Sequence, residues 1–357
     1  MKRFLSLLLT AALLLSLAGC GLLTISDSRT SAAAAVTASA AAPGDADFWV
    51  KYLDVGQADS ALVCCGGKYL LIDGGNADDG SYVVSALTSL GVKRLDYVVN
   101  THCDEDHCGG LAGVLAKFQA GRVFSSVTSY DTKAFSNFVK YARQQGRSIE
   151  IPTAGDTFAL GTAKVTVLGP LKTYESNNNN SIVLRVTYGK TVFLFMGDAE
   201  HEAEDDLVDS GAALSATVLK VGHHGSDSST GYVFLREVMP QYAVISVGAD
   251  NTYGHPSADT LSRLRDAGVT VCRTDLQGTV TAVSDGRTVT VTTQKAVSAE
   301  AVNPTSATQT QYIGNVNTKV FHAPDCPKLP SEANRVYFDS YEDAVKAGYR
   351  PHSACVG

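Results

Sequence analysis

A short polar stretch in the first half of the chain carries four side chains that can bind metal ions. Residues 100–110 read Asn-Thr-His-Cys-Asp-Glu-Asp-His-Cys-Gly-Gly, and the candidate ligands among them are His102, Asp104, Asp106 and His107. They follow an apolar run that predicts a buried strand, and α/β proteins place their chemistry in the loops at the carboxyl ends of such strands. Two imidazoles and two carboxylates at this spacing predict a site for two adjacent divalent ions.

Three later strand-like runs end in further ligands. In each case glycine stands beside an acidic residue or a histidine, and these residues are Asp198, His223, His224 and His255. Taken singly, Asp198 could cap the following helix and each histidine could be a satisfied loop residue. Their repeated position at strand ends predicts that they complete the same metal site, with Asp198 as a carboxylate that bridges two cations.

The chain between these motifs alternates strands and helices, which indicates an α/β protein. It is more strand-rich than a doubly wound sheet, and no glycine-rich phosphate loop opens a helix, which argues against a nucleotide-binding Rossmann unit. Helices are expected at 81–90, 109–118, 132–145, 200–210, 232–237 and 258–266. Strands are expected at 48–54, 60–65, 69–73, 95–100, 164–168, 181–188, 191–196, 217–220, 242–247, 269–272, 278–283 and 287–293.

The amino terminus has the pattern of a secretion signal. Lys2 and Arg3 precede an apolar run over residues 4–17, which is too short to span a bilayer as a mature helix. The run ends in Leu-Ala-Gly-Cys, which resembles the bacterial lipobox, in which the cysteine is lipidated. We therefore expect residues 1–20 to be a lipoprotein signal and Cys20 to anchor an extracytoplasmic protein to the bacterial cell membrane. An ordinary signal peptide with a stray cysteine is the alternative.

Composition divides the remaining chain and limits its partners. Residues 21–46 are rich in Ser, Thr and Ala, which predicts a flexible tether, and residues 295–310 predict a second linker before a small module at 311–357. Loss of Lys2 and Arg3 leaves a net charge of about −9 with no basic stripe, so charge does not predict tight, sequence-independent nucleic-acid binding. A bound metal pair would still make the site locally positive toward an anionic substrate. No later segment is apolar and long enough to predict a transmembrane helix.

The spaced motifs resemble the metallo-β-lactamase superfamily, and specifically the ComEC-type branch, which includes the extracellular domain of a DNA-uptake channel protein. The resemblance covers residues 47–294. It is carried by THxDxDHxGG at 101–110, Gly197-Asp198, LKVGHHGS at 219–226, YGHPS at 253–257, DVGQADS at 54–60 and LIDGG at 71–75. It implies a four-layer αββα sandwich with the metal site along one edge of the two sheets.

The resemblance also implies roles for individual residues. His102 and Asp104 match the ligands of a first metal, Asp106 and His107 those of a second, and Asp198 the bridging carboxylate. Further roles concern the late histidines and the residues behind the ligands: His223 as ligand, His255 as ligand or proton donor, His224 as an alternative proton donor, Asp73 as a residue that orients a ligand, and Asn178 as a supporting residue. Asp104 stands where most members have histidine, and this harder ligand set makes manganese a credible rival to zinc.

This ligand set implies hydrolysis by a metal-bridged hydroxide, in which Asp106 belongs to the catalytic centre. A water between two cations about 3.5–4 Å apart ionises near neutral pH, and the cations stabilise charge on the attacked group. The branch implies phosphodiester bonds of DNA or nucleotides as substrate. Two alternatives are a β-lactamase-like amide or ester hydrolase on the same fold and a non-catalytic DNA-uptake or surface-binding accessory protein.

The carboxyl-terminal module carries a second ligand set. His322 and Cys326 are followed about two dozen residues later by His352 and Cys355, a spacing that suits one tetrahedral zinc ion. The stretch resembles the metal-binding domain of the Ada DNA-repair protein, but it has histidine at two positions where cysteine is usual, which argues against methyl transfer to a thiolate. A disulfide between the two cysteines is the alternative. Either way, the module is expected to be structural or to bind substrate.

Overall fold

The computed structural model describes residues 36–38, 46–305, 312–323, 326–338, 341–353 and 355–356. All of them belong to the compact unit Ala33–Gly357. The predicted lipidation site, Cys20, and the predicted signal lie outside the described residues. Within the described part of the chain, no helix is both long and apolar enough to cross a membrane.

Two sheets form the body of the molecule. The strands of the larger sheet are β1 Val36–Ala38, β2 Phe48–Tyr52, β3 Ala61–Cys65, β4 Lys68–Ile72, β5 Arg94–Asn100, β6 Gln119–Ser125, β7 Ile149–Glu150, β15 Val280–Ser284 and β16 Val289–Thr293. Their order is β1-β16-β15-β2-β3-β4-β5-β6-β7, and β4 to β7 run parallel. The carboxyl ends of these parallel strands therefore lie at one edge of the sheet.

The second sheet repeats this arrangement. Its strands are β8 Thr157–Leu160, β9 Ala163–Gly169, β10 Val183–Tyr188, β11 Thr191–Phe195, β12 Val218–Lys220, β13 Tyr242–Ile245 and β14 Thr270–Arg273. Their order is β14-β13-β12-β11-β10-β9-β8, with β11 to β14 parallel. Strands such as β11 are buried along their whole length, which explains why they read as unbroken apolar runs.

Helices cover the outer faces of both sheets. They are α1 Gly80–Ser89, α2 Glu105–Cys108, α3 Leu111–Lys117, α4 Lys133–Gln144, α5 His201–Asp209, α6 Tyr232–Val238, α7 Ala258–Asp266, α8 Thr274–Gln277 and α9 Ala299–Val302. One apolar core lies between the sheets, a second lies beneath α1, α3 and α4, and a third lies beneath α5, α6 and α7. This layering confirms the expected αββα sandwich.

Most predicted elements are present with ends shifted by a few residues, and the exceptions share a cause. Strands β6, β7 and β8 were not predicted. β7 has two residues, β8 has one buried residue, and β6 begins with polar and small residues before its buried end. Within the predicted tether, β1 pairs with β16. Within the predicted linker, α9 buries Val302, and Arg265 donates hydrogen bonds to Asn303 and Pro304. These local contacts give no periodic signal in the sequence.

The carboxyl-terminal module has its own small sheet. It contains β17 Tyr312–Asn315, β18 Val320–His322, β19 Arg335–Phe338, β20 Arg350–Pro351 and the helix α10 Tyr341–Lys346. The strand order is β19-β17-β18-β20. Tyr232 of α6 packs against this core: its ring stacks on Tyr341, and its hydroxyl donates to Asp266 and contacts the hydroxyl of Tyr312. The module therefore rests on the main domain.

Candidate metal centre

Loops from both sheets bring the predicted ligands to one edge of the sandwich. The loop after β5 carries the first group, and the loops after β11 and β12 carry the second. The turn at Gly109 and Gly110 packs directly on the backbone of residues 74–77, and a Cβ atom on Gly110 would overlap the carbonyl oxygen of Gly74. Only glycine leaves room for this contact, which holds the ligand loop against the turn that follows β4.

Four side chains converge on one candidate ion position. Ligand atoms of Asp106, His107, Asp198 and His224 lie within 4.8 Å of one another. The Nε2 atom of His107 is 3.2 Å from Oδ1 of Asp198, and the Nε2 atom of His224 is 3.2 Å from Oδ2 of Asp106. Two imidazoles and two carboxylates are a donor set that suits zinc or manganese.

A second candidate position, formed by His102 and Asp104, shares Asp198 with the first. The Nε2 atom of His102 is 3.4 Å from Oδ2 of Asp104 and 3.9 Å from Oδ2 of Asp198. Asn177 donates a hydrogen bond of 2.7 Å to the other oxygen of Asp104, which holds this half-exposed carboxylate in place. Asp198 thus faces both groups of ligands, as expected of a bridging carboxylate.

His102, His107 and His224 are each oriented by a contact at Nδ1, and the Nε2 atom of each ring faces the centre. His107 contacts Asp73 at 2.9 Å, His224 donates to the carbonyl of Ser246 at 2.9 Å, and His102 contacts the hydroxyl of Thr101 at 3.2 Å. A partner at one ring nitrogen fixes the tautomer in which the other nitrogen binds a metal. Asp73 therefore has the orienting position that was predicted for it.

The charges of the centre are strongly coupled. Burial opposes ionisation of Asp198, but His107 and His224 outweigh it and hold the pKa of Asp198 well below its usual value. Burial is likewise outweighed at Asp106, whose pKa falls to about 2. In the opposite sense, burial lowers the pKa of His224, but Asp198 and Asp106 raise it to about 10. Without an ion, the carboxylates therefore hold protons on these imidazoles.

Three atoms at the centre fit a cation better than any protein partner. Nε2 of His102, Nε2 of His107 and Oδ1 of Asp198 are buried and form no well-oriented hydrogen bond among the described residues, although the last two atoms face each other at 3.2 Å. Buried polar atoms are almost always paired, so unpaired ones require an explanation. Lone pairs that point at a common centre provide it, because divalent ions would satisfy them. The residues present thus fit the metal pair that the sequence predicts.

Of the two neighbouring histidines, His224 takes a position that differs from its expected role, whereas His223 still faces Asp198, as expected of a ligand. His224 was expected as a proton donor, but it is buried and aims Nε2 at Asp106 and Asp198, so it occupies a ligand position. His223 is more exposed, with Nε2 3.9 Å from Asp198 and Nδ1 3.4 Å from Glu200. Both residues have left-handed backbone conformations, with φ of 47° and 53°. This uncommon conformation at two consecutive residues sets which ring turns inward.

An open pocket of about 590 Å³ leads to the centre. Its lining includes Gln57, Asn178, His223, Tyr253 and His255, in addition to the acidic ligands. His255 is set back from the carboxylates, and its ring contacts those of His223 and Tyr253 at 5.5 and 5.7 Å. Asn178 lies 3.4 Å from Nε2 of His223, so it belongs to the pocket wall.

A buried ion pair behind the ligands escaped the sequence analysis. Nζ of Lys220 lies 2.8 Å from Oδ2 of Asp59, and the other oxygen of Asp59 is 3.6 Å from Nδ1 of His224. Both residues stand inside motifs that carry the family resemblance, which was the available signal. Glu200 and Asn177 were also missed, although each contacts a predicted ligand.

Two cysteines flank the ligand loop without joining it. Cys103 and Cys108 are buried in the core beneath α1, α3 and α4, and burial raises the pKa of each thiol to about 12. A thiol that keeps its proton is a poor ligand and nucleophile. Their position agrees with a packing role.

The second ligand set also converges. Ligand atoms of His322, Cys326, His352 and Cys355 lie within 4.8 Å of one another. The Sγ atom of Cys326 is 3.4 Å from Nδ1 of His322, and that of Cys355 is 3.2 Å from Nδ1 of His352. A disulfide would give no reason for two imidazoles to join the sulfurs, so the geometry favours a tetrahedral metal site.

Comparison with known proteins identifies both regions. Residues 53–249 match the family described as the Metallo-beta-lactamase superfamily, and residues 295–356 match the metal binding domain of Ada. The latter match begins within the predicted linker. Relatives include ComE operon protein 3 of Bacillus subtilis, 32% identical over 65% of this chain and 32% of the relative. Another is competence protein ComA of Neisseria gonorrhoeae, 34% identical over 63% of this chain and 30% of the relative.

A solved structure with a similar fold is the metallo-beta-lactamase fold protein YhfI from Bacillus subtilis. It is 13% identical, with a TM-score of 0.42, over 60% of this chain and 92% of the other. The present chain spans about a third of the length of the curated relatives it matches. On the strength of the match over residues 53–249, the chain belongs to the metallo-beta-lactamase superfamily and carries an Ada-like metal-binding module after it.

Proposed function

We propose that this protein is an extracytoplasmic metal-dependent hydrolase that cleaves phosphodiester bonds of DNA or nucleotides. The observation that carries the proposal is the convergence of ligands from both sheets around buried, unpaired nitrogen and oxygen atoms at the end of an open pocket. When bound, two divalent ions would supply a nucleophile at neutral pH and positive charge for the attacked group. Zinc and manganese are the two candidates.

The protein's own residues divide the remaining work. Asp198 lies between the two ligand groups and would keep them at a fixed separation, with Asp106 and His107 on one side and His102 on the other. Asp73 and Ser246 hold two of the imidazoles in the ligand tautomer. Because these contacts are already formed, little reorganisation is needed when a substrate binds.

His255 has the position of a proton donor to the leaving group. The backbone N–H of Gly248 donates to Oε1 of Gln57, which turns the amide nitrogen of Gln57 toward Nδ1 of His255 at 3.5 Å. An amide nitrogen only donates, so Nδ1 accepts and a neutral His255 carries its proton on Nε2. His255 lines the pocket, where its Nε2–H would donate a hydrogen bond to a departing oxygen; full proton transfer would need the imidazolium form, and burial lowers the pKa of His255.

The choice of a phosphodiester substrate is supported by the relatives. Two of them are named for competence or recombination, which are processes that act on DNA. The open pocket, which has acidic ligands and a tyrosine at its mouth, suits a phosphate held by cations next to a flat base. The fold alone does not choose between substrates, since unrelated reactions share it.

A substrate panel tests the proposal. Metal-loaded protein that lacks the predicted signal, residues 1–20, and so keeps β1 is assayed with zinc or manganese on single-stranded DNA, on bis(p-nitrophenyl) phosphate and on a chromogenic β-lactam. We expect phosphodiester cleavage, loss of at least about 10²-fold in Asp198→Ala, and no lactam turnover. Lactam turnover without phosphodiester cleavage would establish the amide-hydrolase alternative. Metal and DNA binding without turnover of any substrate would establish the accessory alternative.

The membrane anchor is tested separately. We propose that a lipid on Cys20 holds the protein outside the cytoplasm. In bacteria that make the full chain, Cys20→Ser should move the protein from the membrane fraction to the soluble extracytoplasmic fraction and abolish labelling with a radioactive fatty acid. Unchanged fractionation together with absent labelling of the unsubstituted protein would reject this anchor.

A further inference from the structure

A groove beside the metal centre has a composition that differs from the rest of this acidic protein. Its volume is about 560 Å³, and it is lined by residues of the loop after β6 and of α4: Thr128, Ser129, Tyr130, Phe135, Ser136, Val139, Lys140, Arg143 and Gln144. The lining contains two basic groups and no acidic group. The groove therefore carries positive charge on a chain whose overall net charge is −7.

The basic groups of the groove have no acidic partner among the described residues, although Nζ of Lys140 lies 5.5 Å from the centre of the Tyr141 ring. Lys140 and Arg143 are exposed, and neither forms an ion pair with any residue that the structure describes. With Ser136 they stand at positions i, i+4 and i+7 of α4, which places them on one face of the helix. That face presents two cations and a hydroxyl in a row of about 10 Å.

The groove lies next to the metal-binding loop. Strands β5 and β6 are parallel neighbours whose last residues, Asn100 and Ser125, are paired. The loop that carries the ligands and the loop that lines the groove therefore leave the same sheet edge side by side. Helix α4, which lines the groove, also packs against α2, which carries Asp106 and His107.

Aromatic rings flank the centre on both sides. Tyr130 is 40% exposed at the groove, with its ring edge-on to Phe135 at 6.3 Å. Tyr253 is 72% exposed at the pocket, where its ring stacks on His255. Exposed rings combined with a row of cations are the features by which proteins bind single-stranded nucleic acid without sequence preference.

We propose that this groove binds the single strand next to the bond that is cleaved, with Lys140 and Arg143 on its phosphates and a base stacked on Tyr130. The proposal rests on the proposed function and makes it more specific. It assigns a polynucleotide, and not a mononucleotide, as the substrate. A small phosphodiester fills only the metal pocket, whereas a strand of several nucleotides also reaches the groove.

The central experiment compares a long and a short substrate on the metal-loaded protein. Lys140→Ala/Arg143→Ala should raise KM about tenfold for a twelve-nucleotide single-stranded DNA and leave kcat/KM for bis(p-nitrophenyl) phosphate unchanged. The slope of log affinity against log salt should become shallower by about 1.4, since each contact with a single-strand phosphate contributes about 0.7. The matched control is Lys93→Ala/Lys190→Ala, which removes two exposed lysines outside the groove and should change neither value.

The proposed stacking of a base on Tyr130 is tested with two substitutions at that residue, one of which keeps the ring. Tyr130→Ala should weaken DNA binding about tenfold, and Tyr130→Phe should retain it, because stacking needs the ring and not the hydroxyl. Binding is measured by fluorescence anisotropy of the labelled twelve-nucleotide DNA, with each substitution made in Asp106→Ala protein to slow cleavage. Circular dichroism confirms that each variant is folded.

The outcomes separate the groove from the reaction. If the wild-type protein cleaves neither substrate but the groove variants bind DNA more weakly than wild type, the groove proposal stands and the proposed hydrolysis is rejected. Cleavage of both substrates with unchanged KM and salt slope in the double variant would reject the groove and retain the hydrolysis. An equal loss on both substrates would also overturn the groove, because it would place the effect at the metal centre.

Discussion

Nδ1 of His107 lies 2.9 Å from Oδ2 of Asp73, while Oδ1 of Asp73 accepts the backbone N–H of Thr101 at 2.8 Å. One buried carboxylate thus fixes the ring of a metal ligand and the start of the loop that carries it. Asp73→Asn should lower the affinity for divalent metal by about 10- to 100-fold, because contacts of this kind tune ligand basicity and orientation. Competition with a fluorescent zinc chelator measures the change. Asp285→Asn, in an exposed turn, is the control and should leave the affinity unchanged.

Metal binding should release protons. The pKa of His224 is raised to about 10 and that of His107 well above its ordinary value, so both imidazoles are protonated at pH 7 in metal-free protein. Ligands must be neutral, and filling the site should therefore release about two protons. Calorimetric titrations in buffers of different ionisation enthalpy count them. Release of no protons would contradict this charge arrangement.

The raised pKa of His224 should also make the stability of metal-free protein depend on pH. A folded-state pKa of His224 above its unfolded value stabilises metal-free protein fully below about pH 6.5, and this contribution is lost as pH rises through about 10. The Tm of metal-free protein should therefore fall between pH 7 and pH 10. The metal-loaded protein should show a smaller fall, because its ions replace the protons.

Glu204 should make stability depend on pH at a distance from the metal ligands. It is buried, and burial raises its pKa to about 7 although it accepts hydrogen bonds from the N–H groups of Thr230 and Gly231. The folded state therefore binds a proton that the unfolded state releases, and stability falls by about 3 kcal/mol as pH rises from about 4.5 to about 7. Glu204→Gln should gain about this much relative to wild type between pH 5 and pH 8 in urea unfolding. Glu202→Gln, on the exposed face of α5, should not.

The carboxyl-terminal module should hold one further metal ion. Elemental analysis of protein without the predicted signal, residues 1–20, should give about three divalent ions per chain, and His322→Ala/His352→Ala should give about two. The remaining hydrolase activity should be unchanged, because the ligands of the main centre are intact. A wild-type count of two, with cysteines that do not react with a thiol reagent until they are reduced, would instead establish the disulfide.

The loss of rate on replacing His255 should depend on the leaving group of the substrate. His255→Gln should slow DNA cleavage by about 10²- to 10⁴-fold, because an alkoxide needs a proton to depart. Hydrolysis of bis(p-nitrophenyl) phosphate should change less than tenfold, since p-nitrophenolate leaves without one. Equal losses on both substrates, accompanied by a lower metal content, would show that His255 is a ligand.

The positions of the metal ligands could be predicted from the sequence because each of them stands at the end of an apolar strand. The end of a parallel strand fixes a location on the sheet edge without knowledge of any side-chain angle. For this reason His102, Asp106 and Asp198 were found and their convergence was expected. The sandwich followed from the same strands and from the motifs between them.

The directions of individual rings could not be predicted. His223 and His224 are adjacent, and only their left-handed backbone angles decide which imidazole faces the carboxylates. Pairings between distant motifs, such as that of Asp59 with Lys220, depend on how the two sheets meet and leave no mark in local periodicity. Short edge strands such as β8 bury too little apolar surface to give a pattern.

The ligands are divided between the two sheets, so bound ions would connect the two halves of the sandwich. His102, Asp104, Asp106 and His107 belong to one half of the chain, and Asp198 and His224 to the other. A slide of one half past the other by about an ångström would spoil the site while leaving each half folded, since catalytic geometry tolerates little displacement. The proposed hydrolase activity should therefore be lost at pressures or denaturant concentrations that are too low to unfold either half.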